Sequence, residues 1–142
     1  MKLPDLNVLL YAANVDSPRH EVALAWFESA FADPGGVAFA WVVLLGFIRI
    51  STRSGALAQP LTTETAFRFA RAWLSQPNAR IVNPTERHET LLAGLLLAAG
   101  RAGDLTTDAH LAALAIEHGA TLASFDRDFD RFDGLNFERL RA

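Results

Sequence analysis

A chain of 142 residues, 51% of them hydrophobic, can fold around one core and is too short for two. Its net charge of −3 and pI of about 5.7 exclude a global basic field, so contact with RNA or DNA must be local or pass through a bound cation. Cysteine is absent, which excludes disulfides and thiolate zinc sites, and Lys2 is the only lysine against twelve arginines.

Strand-like and helix-like segments alternate along the whole chain. Lys2 to Asp5 reads as a short strand, and Leu6 to Ala13 as a helix. Met1-Lys2 leads into an apolar run broken by Pro4, Asp5 and Asn7, which does not read as a secretory signal. Ser17-Pro18 predicts a helix start, with serine as cap and proline in the first turn, and that helix ends near Asp33-Pro34-Gly35-Gly36. Val37 to Phe39 is a predicted strand, and Trp41 to Thr52 a strongly apolar helix. The longest apolar run, Val37 to Ile48, has 12 residues, short of the roughly 20 that a membrane helix needs. Thr62 or Thr63 opens a further helix, and Arg80 to Asn83 forms a strand. Thr85 caps a helix that runs through Ala99 to a stop at Gly100. A helix from about Thr107 to His118 ends at Gly119, a strand follows from Ala120 to Ser124, and Asn136 to Arg139 reads as a last strand. This alternation predicts an α/β fold in one domain, residues 1–142, with a mainly parallel sheet between helical layers.

Three distant aspartates acquire a common location in such a fold. Asp5 and Asp126 stand at or just past the C-terminal ends of strands. Asp108 lies in the first turn of the helix feeding the strand that leads to Asp126. Helix N-termini and strand C-termini share one edge of a parallel sheet, and open α/β sheets bind ligands there. Carboxylates gathered at one edge repel unless a cation offsets them, and an oxygen-only ligand set selects Mg²⁺ or Mn²⁺. Each acid also has an ordinary structural use: Asp108 offsets the helix dipole, and Asp126 caps the turn Arg127-Asp128-Phe129. Asp5, between Leu3 and Leu6, is costly to bury unpaired, and no lysine or arginine is evidently placed among the acids.

Several neighbours are secondary candidates. Asn7 either holds Asp5 by a side-chain hydrogen bond or caps the first helix. Asp104, Thr107 and Asp128 complete the supporting set, with Asp104 expected in a loop. Arg49 and Arg53, four apart, are candidate phosphate contacts or a solvated pair at a helix end. His20, His88, His110 and His118 show no metal-binding spacing, and His110 and His118 read as surface positions. Trp26, Trp41 and Trp73 lie on apolar helical faces, where core packing is expected. Helices Trp41–Ile50 and Leu91–Ala99 are apolar nearly all round, which suggests self-association.

Four segments in order carry a resemblance. Asp5-Leu6-Asn7-Val8-Leu9-Leu10-Tyr11-Ala12, Trp41 through Arg49, Thr107-Asp108-Ala109-His110 through Ala115, and Phe125-Asp126-Arg127-Asp128-Phe129 together resemble a PIN domain of the VapC toxin family. The resemblance implies a three-layer α/β/α sandwich and the toxin of a type II toxin–antitoxin system. It further implies a Mg²⁺- or Mn²⁺-dependent endoribonuclease that cuts tRNA or rRNA, with Asp5, Asp108 and Asp126 as catalytic metal ligands. Its implied partners are a second copy of the chain and a VapB-type antitoxin, with operator DNA reached only through the antitoxin, in the cytoplasm and without a membrane. One departure stands out. The family usually carries a glutamate where this chain has Gly46, so a PIN-like module that binds its antitoxin with weak or no nuclease activity is the competing expectation. Room for a ligand or close helix packing would each explain a glycine there. Receiver domains and haloacid-dehalogenase-type phosphatases fit poorly, because both need a late lysine and paired acids after the first strand.

Overall fold

The computed structural model describes residues 1–142. Its five strands are β1 (Lys2–Pro4), β2 (Val37–Ala40), β3 (Ala79–Val82), β4 (Thr121–Ser124) and β5 (Asn136–Arg139). They pair in the order β3-β2-β1-β4-β5, and every pairing is parallel. In register, Lys2, Leu3 and Pro4 face Thr121, Leu122 and Ala123. Helices α1 (Leu6–Ala13) and α2 (His20–Ala32) connect β1 to β2, and α3 (Trp41–Thr52) and α4 (Thr63–Leu74) connect β2 to β3. The chain then returns through α5 (His88–Ala99) and α6 (Thr106–His118) to place β4 on the other side of β1. Connections therefore leave β1 and β4 in opposite directions, which opens a crevice at their carboxyl ends.

Burial follows from this layering. A strand covered on both faces must be apolar throughout, and all four residues of β2 are buried. One cluster of 30 buried residues forms the core. On one side Phe27, Phe31, Phe39 and Trp73 pack ring against ring, with Phe47 meeting Trp73 edge-on at 5.1 Å. On the return crossover Ala109, Ala112, Ala113 and Ala115 are buried, and these small side chains let α6 lie close to α5 and β4. Gly119 ends α6 at φ 64°, a left-handed conformation that glycine adopts without steric cost, and turns the chain into β4. No helix is long and apolar enough to cross a membrane.

Some expectations shift. Helix α2 begins at His20 instead of at Ser17-Pro18, because the Ser17 hydroxyl accepts from the Arg19 amide at 3.1 Å and closes a tight turn first. Likewise Thr85 does not cap α5, which begins at His88. Its amide and hydroxyl instead donate to Glu117 Oε1 at 2.7 and 2.6 Å. Trp41 is 52% exposed instead of core, since α3 turns it outward with Leu45, 62% exposed. His110 and His118 are not free surface positions: His110 Nδ1 meets His88 Nε2, and His118 Nε2 meets the Asn83 carbonyl oxygen, both at 2.8 Å. Thr62 is the cap of α4, accepting from the Thr65 amide at 3.1 Å.

Candidate active site

The acids reach the crevice by three local routes. Asp5 follows β1 directly and caps α1, its Oδ1 accepting from the Leu6 amide at 2.7 Å. Asp126 lies two residues past β4, and its Oδ1 accepts from the Asp128 amide at 2.9 Å to start the 3-10 turn Arg127–Arg131. Asp108 occupies the first turn of α6, behind the 3-10 turn Gly103–Leu105. The cap anticipated for Asp126 is thus real, and Asp5 supplies a second that the sequence reading did not name. They coexist with the convergence, since each bond occupies one lone pair and leaves others free.

Ser124 is the hub that joins two of the acids. Its hydroxyl donates to Asp5 Oδ2 at 2.7 Å and accepts from Asn7 Nδ2 at 3.1 Å and from the Asp126 amide at 3.0 Å. Asn7 therefore does not touch Asp5. It holds Ser124, and its Oδ1 accepts from the Phe125 amide at 3.3 Å. Ser124 is fully buried at the end of a central strand, where a hydroxyl is expensive unless all its capacity is used. A buried serine just ahead of Phe125-Asp126 was the sequence signal for this hub, and reading the acids alone passed over it.

Electrostatics report how close the acids stand. Burial pushes the Asp5 carboxyl above its ordinary range; the Ser124 and Leu6 hydrogen bonds oppose this, and the charge of Asp126 adds to it. Burial also raises Asp108, to about 6, and the negative charges of Asp5, Asp126 and Asp128 push in the same direction. Four carboxylates thus share one field. Arg131 works against it at Asp108 and reaches Asp128 Oδ1 at 3.6 Å, so an arginine does stand among the acids, contrary to the sequence reading. The charge of Asp128 also reaches Asp108. Asp104 is exposed on the 3-10 turn and adds nothing to the field at Asp108, and Thr107 is exposed beside it without a side-chain bond.

The donor set is all oxygen and its net charge is negative, the chemistry that suits a hard divalent ion. Asp5 and Asp126 are held in orientation, whereas the Asp108 carboxyl forms no hydrogen bond and is free to swing. No three of the acidic or histidine side chains already stand at ligand spacing, so a cation would draw the group together.

Gly46 lies on the face of α3 that meets Leu6, the first residue of α1. A Cβ built there would meet Leu6 Cδ2 at 3.1 Å, so the glycine lets α3 approach α1 within the same chain. Close packing, the second of the two explanations for this residue, is what the structure contains. Arg49 sits one turn further along α3 on an open hollow with Val42 and Gly46, and both it and Arg53 are exposed.

The PIN domain family model matches residues 2–135. Ribonuclease VapC37 of Mycobacterium tuberculosis is 45% identical over 139 residues, covering 98% of this chain and 96% of that protein. Ribonuclease VapC33 of the same organism is 41% identical over 137 residues, 96% of each. Among solved structures, VapBC2 from Rickettsia felis bound to a DNA fragment from its promoter superposes with a TM-score of 0.74. It covers 99% of this chain and 98% of that one at 19% identity, a likeness of fold. The chain therefore belongs to the PIN-domain family, within its VapC branch.

Proposed function

We propose that this protein is the toxin of a type II toxin–antitoxin pair and a Mg²⁺- or Mn²⁺-dependent endoribonuclease. The observation that supports the reading is the grouping of Asp5, Asp108 and Asp126 at the sheet's switch point, where burial first and then the charges of Asp5 and Asp126 raise Asp108 to about 6. Asp5, Asp108 and Asp126 would hold the ion, with Asp128 as a fourth carboxylate where the family glutamate is replaced by Gly46. A bound divalent ion acidifies water and offsets charge on phosphoryl oxygens. The chain's own residues orient the site: Ser124 and the Leu6 amide fix both oxygens of Asp5, and the Asp128 amide fixes Asp126. Asp108, with no bond of its own, would be oriented by the ion itself.

By extension from its relatives, the substrate is structured RNA, tRNA or rRNA, cut in the cytoplasm. The partners are a second copy of the chain and a VapB-type antitoxin that reaches operator DNA. The apolar groove lined by Trp41, Leu45, Ile48, Phe67 and Leu74 supports such a protein contact, because exposed apolar area of this kind marks interaction surfaces. Sedimentation of the purified chain tests the dimer.

One observation favours a second reading. The acids do not stand at ligand spacing, as would suit a module that binds its antitoxin without cutting RNA. Incubating antitoxin-free protein with mixed cellular RNA in Mg²⁺ or Mn²⁺, and again with EDTA, separates the two. Cleavage that EDTA abolishes supports the nuclease; intact RNA in every lane from folded protein supports the module.

A further inference from the structure

On the turn between α1 and α2 the fold builds a cationic platform that the acids do not explain. One of its rings, Phe125, lies between Ser124 and Asp126 in the chain. It meets the Tyr11 ring edge-on, centroids 5.1 Å apart at 84°. The Arg19 guanidinium lies across both, 5.4 Å from the Tyr11 centroid and 5.8 Å from that of Phe125, and Nη1 donates to the Tyr11 hydroxyl at 3.3 Å. The segment beneath it is fixed as well. The Ser17 hydroxyl accepts from the Arg19 amide at 3.1 Å, and His20 Nδ1 bonds the Tyr11 carbonyl at 2.9 Å.

An exposed arginine ordinarily lies free in solvent or beside a carboxylate. Arg19 has neither arrangement: Asp16 and Glu21 are near in sequence, yet no acid lies within ion-pair distance of it. Its positive charge is therefore uncommitted and already oriented, with the outer N–H groups turned to solvent. A planar guanidinium matches two phosphate oxygens at once, and fixing it in advance removes ordering cost on binding. The chain as a whole is anionic at −3 and its crevice is acidic, so a polyanion needs a local cation to approach.

We propose that Arg19, seated on Tyr11 and Phe125, is a phosphate-binding residue that grips the backbone of the bound RNA strand. The inference rests on the ribonuclease reading and adds to it a residue that sets where the strand lies.

The test is binding of a short fluorescein-labelled single-stranded RNA of mixed sequence, followed by anisotropy in Mg²⁺ across a salt series, in an Asp108→Asn background that prevents cleavage. Arg19→Ala should weaken binding several-fold at low salt and reduce the log–log salt slope by about 0.7, the share of one phosphate contact on a single strand. Arg19→Lys should keep the slope and bind more weakly, and Tyr11→Phe should weaken binding less than either. An unchanged melting temperature for Arg19→Ala excludes a merely structural role. If the parent binds RNA and Arg19→Ala leaves both affinity and slope unchanged, the platform is not a phosphate site, and the ribonuclease reading stands. If Arg19→Ala instead weakens only binding of a polyglutamate peptide, the platform serves a protein partner and the proposal is overturned. An Asp108→Asn parent that does not bind RNA, together with unsubstituted protein that does not cut it, overturns both readings.

Discussion

The two ends of α6 each carry a partly buried acid, and the fold treats them in opposite ways. At its C-terminal end Glu117, its side chain fully shielded, accepts from Thr85 twice and bonds His88 Nδ1, while His88 Nε2 meets His110 Nδ1. Burial pushes Glu117 up, but the bonds from His88 and Thr85 outweigh it and hold the carboxyl below its usual range. His110 is lowered, by burial and then by the charge of His88, with Glu117 opposing. At the N-terminal end Asp108 has no bond, faces three other acids and is raised to about 6. An acid compensated on every side stabilises a fold. One left uncompensated among like charges costs stability and is the mark of a site awaiting a ligand.

Substitutions can break this contrast. The largest effect falls on Asp108→Asn, which should reduce RNA cleavage by on the order of 10²–10³-fold, the scale of a preorganised electrostatic contact. Ser124→Ala unties Asp5 from Asp126 and should cost about 10–100-fold in cleavage, the range for groups that orient metal ligands. Both are read from initial rates on mixed RNA.

Stability should respond in the reverse sense at the two ends. Glu117→Gln removes charge-assisted bonds and should destabilise by about 2 kcal/mol at neutral pH, measured by urea unfolding. Because the folded value of Glu117 is depressed, its contribution is present above the unfolded carboxylate range and is lost as pH falls through the folded value. The two proteins should therefore converge in acid. Asp108 has the opposite sign. Its raised value means that the native state binds the proton more tightly, so stability falls as pH rises from about 4 to 6. Asp108→Asn should then stabilise the cation-free protein at pH 7 by on the order of 1 kcal/mol after discounting for its partial exposure, with no gain at pH 4.

Gly46→Ala should have the smallest effect. Helix propensity favours alanine by about 1 kcal/mol, and the 3.1 Å approach to the flexible tip of Leu6 offsets much of it, leaving the midpoint nearly unchanged. A large loss would mean that the contact between α1 and α3 is rigid.

How much of this was visible in the chain alone depends on the range of the interaction. Alternating apolar segments and local caps such as Thr62 are properties of neighbouring residues, and the strands and helices follow from them. That Asp5, Asp108 and Asp126 lie at one edge of the sheet was legible too, because parallel topology sends strand ends and helix starts there, but their spacing was not. Partnerships across long stretches were not. Thr85 looked like a helix cap until Glu117, 32 residues away, took both of its donors. His110 looked like a surface residue until His88 reached it across the helix pair. Arg131 is the exception: it lies three residues from Asp128 on the 3-10 turn that Asp126 caps, within reach of a local reading. Trp41 shows the converse: an apolar residue on an apolar helix, left outside because α3 has more apolar surface than one core can cover.

The most direct measurement is a calorimetric titration of Mn²⁺ into the antitoxin-free protein and into its Asp5→Asn, Asp108→Asn and Asp126→Asn variants at pH 7. Carboxylates that share one ion predict saturable binding to the parent and a marked loss of affinity in each variant, while Glu117→Gln binds as the parent does. Equal binding by all five proteins, or none to the parent together with RNA cleavage that persists in EDTA, would contradict a metal centre built from these acids.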